Sequence, residues 1–181
     1  MIKSFKKISF GLMLVVTLFL TGCTKVENLK IGVSKYAAHG TKAFAVTTVV
    51  MDGNKIGKIL IDEYQFLNEA NVTCVPNGNS KDGAVGTFGV KSGDIINCLA
   101  SKRDNQDFYS TNMSNNGGAT QDLVVSYEAI EKYAVGKTVD ELVNFINGKD
   151  TEEVMDAVSG STLVDTKGYI EAIIEAAKNA K

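Results

Sequence analysis

The chain has 181 residues, 44% of them hydrophobic, and a formal net charge of −2, which suits one globular domain of modest size. It has no basic block of the kind that marks nucleic-acid-binding proteins, so we expect no nucleic acid among its partners. The single histidine, His39, excludes a site built from several histidine ligands, and it is the only possible base for an intrachain Ser-His-Asp triad.

The N-terminus has the pattern of an export signal. Three lysines precede an apolar run from about Ile8 to Leu20, which is too short to cross a bilayer. The next residues, Leu20-Thr21-Gly22-Cys23, are similar to the bacterial lipobox, which implies cleavage before Cys23 and attachment of acyl chains such as palmitate to it. An ordinary secretory signal with a chance cysteine is the alternative. We expect residues 1–22 to be removed and the product to be anchored on the extracytoplasmic face of the cell membrane.

Cleavage at this point would also change the charge and the cysteine content of the protein. Loss of the three lysines takes the formal charge from −2 to −5. Beyond Cys23 only Cys74 and Cys98 remain, and they are not spaced as a metal motif. Export permits a disulfide between them, and two unpaired or buried thiols are the alternative.

The strand pattern is strongest in the first half of the chain. Thr24 to about Lys35 is polar and poorly patterned, and residues 23–33 are predicted to be a tether. Phe44 to Met51 is rich in β-branched residues, and Ile56 to Tyr64 predicts a return strand. Asp52-Gly53-Asn54-Lys55 between them is a turn signal, so we expect a β-hairpin.

Loops predominate in the middle of the chain. Asn68 to Asp94 is rich in Gly, Asn, Ser and Asp and predicts a long irregular segment. Ile95 to Ala100 predicts a short strand, and Met113 to Thr120 predicts a second loop.

The pattern becomes helical from Leu123 onward. A helix is predicted over Tyr127 to Val135, and a second begins at the capping box Thr138-Val139-Asp140-Glu141. A short helical turn is possible from Asp150, and the last helix runs from Thr166 to Lys178 with Asp165 or Thr166 as its cap. The predicted fold is an α+β domain over residues 34–181, with a small antiparallel sheet, an N-terminal hairpin and C-terminal helices.

One segment before the last helix carries the chemistry, Asp156-Ala157-Val158-Ser159-Gly160-Ser161-Thr162. Gly160 permits a sharp turn, and Ser159, Ser161 and Thr162 place three hydroxyls close together. Amide groups near a helix N-terminus favour phosphate, so the spacing is consistent with a phosphate-binding turn. A simple helix cap is the alternative.

This segment resembles the flavinylation motif of the FMN-binding domain family, which reads Asp, two variable residues, Ser or Thr, Gly, Ala, Thr. Asp156, Ser159, Gly160 and Thr162 match, and Ser161 stands where the family has Ala. The family includes a subunit of sodium-translocating NADH:quinone reductase and flavin lipoproteins of extracellular electron transfer. Its hairpin with Asp-Gly at the turn and its helix after the final Thr also have counterparts here. The resemblance implies FMN bound through a phosphoester to Thr162, attached by a flavin transferase that uses FAD and its own divalent metal.

The resemblance implies a membrane-anchored electron carrier between a membrane donor and an extracellular acceptor. FMN would perform the chemistry, and the chain itself would have no substrate-turnover site and no catalytic residue. The alternative is a non-redox surface lipoprotein that binds a ligand or a partner protein.

Other residues have two possible roles. His39 is a candidate to bind the flavin ring or phosphate, or else a structural residue at the start of the sheet. Tyr64 and Phe66 would either stack on the flavin or pack in the core. Asp62 and Glu63 are adjacent on a strand, so they should point to opposite faces and not act together. Gly118-Ala119-Thr120 only partly matches the motif, so we predict a loop that is not modified and that lies close to the cofactor.

Overall fold

The structure, a computed structural model, describes residues 29–75 and 88–181. Within these residues, five strands form one antiparallel sheet in the order β1-β2-β3-β5-β4. The predicted leader, the lipidation site Cys23, and residues 76–87 of the predicted long loop lie outside the described residues. The strands are β1 (Leu29–Tyr36), β2 (Ala43–Asp52), β3 (Lys55–Asn68), β4 (Gly89–Ser92) and β5 (Ile95–Ser101).

The helices of the described residues pack on one face of this sheet. Alternate residues of β2 and β3, such as Val49 and Ile61, are fully buried and share a core with Ile130 and Ile173 from the helices. The other face of the sheet leaves Leu60 half exposed. The α+β prediction is therefore confirmed. The helices are α1 (Gln106–Gly117), α2 (Leu123–Ala134), α3 (Val139–Ile146), α4 (Thr151–Ala157) and α5 (Thr166–Lys178).

The predicted hairpin is present, and its strands are longer than predicted. Strands β2 and β3 pair from Ala43↔Gln65 to Asp52↔Lys55, with an irregularity in register between Val50 and Met51. Gly53 at the turn has a φ of 60°, which is the left-handed region that glycine adopts without strain. In the sheet, the hairpin lies between β1 and β5.

The prediction of a tether before the hairpin is wrong from Leu29 onward. Residues 29–36 form β1, which pairs with β2 along its whole length. The inward positions are occupied by the small residues Gly32 and Ser34, and the alternating apolar residues Leu29, Ile31 and Val33 lie on the exposed face. The Ser34 hydroxyl instead donates a hydrogen bond of 2.7 Å to the carbonyl of Ala172 in α5.

Small residues allow β1 and α5 to approach each other closely. A Cβ atom on Gly32 would lie 1.9 Å from the carbonyl oxygen of Ala176, and one on Gly168 would lie 2.6 Å from that of Ala38. Both contacts are with backbone atoms, which cannot rotate away. The position of α5 on the sheet therefore depends on these two glycines.

The middle of the chain contains more regular structure than predicted. Helix α1 covers most of the predicted Met113–Thr120 loop, and β4 lies within the predicted Asn68–Asp94 loop. Helix α1 has no buried residue, and Tyr109 and Met113 are only partly buried against the core. The missing apolar stripe explains why the sequence did not predict this helix.

Cys74 and Cys98 form a disulfide, so the first of the two alternatives holds in this structure. Their Cα atoms are 5.7 Å apart, and the cysteines lie in a small second core with Val72 and Ala100. The bond joins the segment after β3 to strand β5, and it closes a loop of intermediate length, which would stabilise the fold by about 3 kcal/mol.

Helices α3, α4 and α5 begin where predicted, whereas α2 begins at Leu123, four residues before the predicted Tyr127. Thr138 and Glu141 form the predicted capping box of α3, and Asp150 and Glu153 form another at the start of α4. Helix α5 has its predicted limits, and its apolar stripe is buried. No helix in the described ranges is both long and apolar enough to cross a bilayer.

The close approach of β1 and α5 predicts that Gly32→Ala strongly destabilises the fold. The new methyl group would overlap the Ala176 carbonyl, so the helix must shift, at a cost of about 3 kcal/mol. Urea denaturation measures this loss. Gly117→Ala is the control, because a Cβ there meets nothing within 4 Å and should leave stability unchanged or raise it by up to about 1 kcal/mol. Equal effects of the two substitutions would contradict the prediction.

Candidate functional site

A cavity of about 510 Å³ lies beside the N-terminal end of α5. Its wall is built from separate parts of the chain: the loop after β1, the residue that follows β5, helix α1 with its following loop, and the segment before α5. These parts contribute His39, Lys102, Tyr109, residues 117–120 and residues 162–165. Of the predicted cofactor-binding residues, His39 and Thr162 line the cavity, whereas the other four residues of the motif do not.

The motif turns sharply at Gly160, as predicted. The amide of Ser161 donates a hydrogen bond of 3.1 Å to the Val158 carbonyl, and Gly160 between them has a φ of 91°. A Cβ on Gly160 would lie 3.3 Å from that of Ala129. The Gly160 carbonyl accepts a hydrogen bond from the Gln121 side chain, which fixes the turn against the loop before α2. Positive φ and close packing both favour glycine here.

The three hydroxyls of the motif have different environments. The Ser161 side chain is buried, and its hydroxyl pairs with that of Thr166 at 2.8 Å. Ser159 is exposed and does not line the cavity. Thr162 is exposed and does line it. Thr162 is therefore the hydroxyl that combines access from solvent with a position at the cavity.

The acidic residue of the motif lies apart from the cavity. Asp156 is exposed near the end of α4, and it is not among the residues of the cavity wall. It is therefore an exposed residue at the start of the segment that leads to the turn.

His39 pairs with Asp165 across the cavity rim. The His39 Nδ1 and Asp165 Oδ2 atoms are in hydrogen-bonding contact, and both side chains are partly exposed. Asp165 occupies the N-cap position of α5, but its side chain makes no capping hydrogen bond. The capping role predicted for Asp165 is therefore wrong, because its carboxylate bonds to His39 instead.

Thr166, the other predicted cap, is buried in the first turn of α5. Its hydroxyl donates to the carbonyl of Leu163 at 2.5 Å and also pairs with Ser161. The side chain thus fixes the segment before the helix and does not cap the helix amides.

A buried charged pair lies behind the cavity, and sequence reasoning missed it. Glu63 is fully buried, and its Oε2 accepts hydrogen bonds from the Lys102 ammonium and, at 3.1 Å, from the Tyr169 hydroxyl. Lys102 follows β5 directly and is only 1% exposed. Its ammonium lies 4.3 Å from the centre of the Tyr109 ring, a cation–π contact.

Two phenols complete this buried group. The Tyr127 hydroxyl lies 3.4 Å from both Glu63 Oε2 and the Tyr169 hydroxyl. Burial first, and the negative charge of Glu63 among the further causes, raise the pKa of both tyrosines far above the usual value. Both phenols are therefore neutral donors at physiological pH. The second carboxylate oxygen, Glu63 Oε1, is buried without a hydrogen-bond partner among the described residues.

Because side chains alternate along a strand, Asp62 and Glu63 were predicted to point to opposite faces of the sheet, and that prediction is confirmed. Glu63 points into the core, whereas Asp62 accepts a hydrogen bond of 2.8 Å from Ser101. Glu63 follows Ile61 by two residues, so the alternation places its carboxylate on the buried face of the strand. A buried carboxylate needs a cationic partner, and the sequence therefore indicated that one exists. No sequence spacing identified Lys102 as that partner, because 39 positions separate the two residues.

The two aromatic candidates at the end of β3 do not reach the cavity. Tyr64 stacks on Phe44 with ring centres 5.8 Å apart, and Phe66 is 47% exposed. Neither lines the cavity, and Phe66 is not in the core either. In contrast, the loop residues Gly118, Ala119 and Thr120 lie in the cavity wall.

The part of the chain that the structure describes contains no cluster of three or more residues suited to hold a metal ion.

Comparison of the chain with protein-family models, curated proteins and solved structures returns no match. The site has therefore to be interpreted from its own residues and from the motif that they form.

The hydrogen bonds of Ser161 predict a structural role for its hydroxyl. Ser161→Ala removes the bond to Thr166, and Thr166 keeps its bond to the Leu163 carbonyl, so we expect a loss of about 1 kcal/mol in unfolding free energy. Thermal or urea unfolding measures it. Ser159→Ala, at an exposed position of the same turn, should change stability by less than about 0.5 kcal/mol. A larger loss for Ser159→Ala than for Ser161→Ala would contradict this assignment.

Proposed function

We propose that this protein is a membrane-anchored, extracytoplasmic electron carrier that holds FMN as a phosphoester on Thr162. The observation that supports it most is the environment of the motif hydroxyls. Ser161 is buried and hydrogen-bonded, whereas Thr162 is exposed at the rim of a cavity. Among the three hydroxyl residues of the motif, the one at the family's acceptor position is thus the one that is both exposed and at the cavity.

The cavity suits the group that the motif implies. Its volume of about 510 Å³ lies in the range of cavities that hold small molecules and cofactors. Tyr109, Met113 and Leu123 supply apolar surface, and Gly117 and Gly118 present backbone without side chains. A Cβ on either glycine would meet nothing within 4 Å, so this wall leaves space for a planar ring.

The attachment reaction is a transfer of the FMN moiety from FAD. The Thr162 hydroxyl oxygen would attack the FMN-side phosphorus of FAD, forming one phosphoester bond as the pyrophosphate bond breaks. AMP leaves, and the hydroxyl proton is released. A flavin transferase would catalyse this step with its own divalent metal, so this chain needs only an exposed hydroxyl and a turn that the enzyme can bind.

The charges around Thr162 fit a bound phosphodiester. Its negative charge would lie close to the N-terminal end of α5, a helix of 13 residues whose first amides favour anions. Asp165 lies at the same end and would repel the phosphate. Its carboxylate bonds to His39 and makes no capping hydrogen bond to the helix amides, so His39 helps to leave those amides for the phosphate.

The bound FMN would supply the electron transfer, and this chain would orient the ring and limit its contact with water. The predicted partners are the flavin transferase, a membrane donor and an extracellular acceptor, with a lipid anchor at Cys23.

The second candidate function is that of a non-redox surface lipoprotein in which the same cavity binds a ligand reversibly. Co-expression with a flavin transferase separates the two, because covalent flavin keeps its colour on the denatured protein.

Thr162→Ala should abolish flavin attachment without loss of fold. The substitution removes an exposed hydroxyl whose loss should cost no more than about 1 kcal/mol. Peptide mass spectrometry after co-expression with a flavin transferase measures loading. Thr162→Ser should keep part of the loading, and Ser161→Ala should keep it fully, since the family has Ala there. Flavin on Ser161, on Thr120 or on the Thr162→Ala protein would refute the assignment.

Gly160→Val should impair loading more than folding. A β-branched residue resists a φ of 91°, and its side chain would press on Ala129, so the turn would change shape. Flavin content is measured beside the thermal unfolding midpoint. The turn is at the surface, so we expect the protein to fold. Gly148→Val is a matched control, with a φ of 74° but outside the motif and the cavity wall. Equal loading of both variants would show that the geometry at Gly160 is not required.

A further inference from the structure

The attachment step proposed at Thr162 does not use the buried pair of Glu63 and Lys102. The pair is costly, because a fully buried carboxylate and ammonium both lose their hydration. The cost is only partly offset, since Glu63 Oε1 has no hydrogen-bond partner. Two apolar side chains of similar volume would pack here at a lower free-energy cost, so stability alone does not explain the charged pair.

The two charges are at unequal distances from the cavity. Lys102 belongs to the cavity wall, and Glu63 does not. The Lys102 ammonium lies just behind the wall, with the Tyr109 ring against it at 4.3 Å. Hydrogen bonds from Tyr127 and from the wall residue Tyr169 hold Glu63, which is itself absent from the wall. The positive member of the pair is therefore the one that belongs to the cavity wall, and the opposing charge of Glu63 is not part of that wall.

We infer that Lys102 sets the reduction potential of the cofactor in this cavity, with Glu63 as the residue that positions it. This inference rests on the proposed function. Reduction of FMN by two electrons with uptake of one proton adds one negative charge to the ring. A buried cation behind the wall stabilises that charge more than the oxidised ring, because the surroundings have a low dielectric constant. Lys102 thus raises the potential and favours the reduced carrier.

The experiment uses the full-length, flavin-loaded protein in detergent and a reductive titration with dithionite against a reference dye. Lys102→Met removes the cation but leaves Glu63 buried without its ammonium partner, which endangers folding. The double variant Lys102→Met/Glu63→Gln removes both charges, so it is the principal test. Lys102→Arg keeps the cation, and Lys58→Met removes an exposed lysine on the open face of the sheet as the matched control.

We expect the double variant to lower the ratio of reduced to oxidised flavin at least tenfold at a fixed potential, which is a shift of about 30 mV for a two-electron couple. Lys102→Arg and Lys58→Met should stay within about threefold of the wild type. A double variant within threefold of the wild type would overturn the inference. So would a Lys102→Arg protein that shifts as far as the double variant, because shape and not charge would then matter.

Loading is measured first on every protein, by mass spectrometry of the Thr162 peptide. If the wild-type chain carries no flavin, the proposed function fails and this inference fails with it. If the wild type is loaded and the potentials are equal, only the inference fails. A double variant that folds but takes no flavin also overturns it, because Lys102 would then serve attachment.

Discussion

The close contact between α5 and β1 is the constraint on which the rest of the structure depends. Gly32 and Gly168 bring the helix to backbone contact with the strand and the loop after it. The helix then buries its apolar stripe on the sheet, and the segment before it must turn at Gly160. Thr162 reaches the cavity rim as a consequence. A small change at a glycine far from the motif would therefore move the Thr162 hydroxyl.

Much of this fold could be predicted where the residues follow a regular period. The alternation in β2 and β3 and the apolar stripe of α5 both reflect burial on one face, and both were predicted correctly. Strand β1 was missed although Leu29, Ile31 and Val33 alternate along it. These apolar residues are exposed, and the buried positions are Gly32 and Ser34, whose small size allows the approach of α5. Helix α1 was missed for a related reason, since it has no buried residue to mark its face.

The candidate site was predictable only in part. The motif predicted the turn at Gly160 and selected Thr162 among neighbouring hydroxyls. The burial of Ser161, which distinguishes the two hydroxyls physically, needed the structure. Lys102 is a different case, because a lysine after a short strand predicts a solvated side chain. Its burial follows from the inward carboxylate of Glu63 on a neighbouring strand, a contact that only the sheet register produces.

Helix α1 forms a wall of the cavity with almost no apolar burial of its own. Such a helix contributes little to global stability, so its hydrogen bonds open at low free energy while the sheet and α5 stay folded. Amide hydrogens of α1 should then exchange with solvent much faster than those of α5. The two sides of the cavity would therefore differ in local stability. The side formed by α5 and the sheet would stay folded, and the side formed by α1 would open without unfolding of the whole domain.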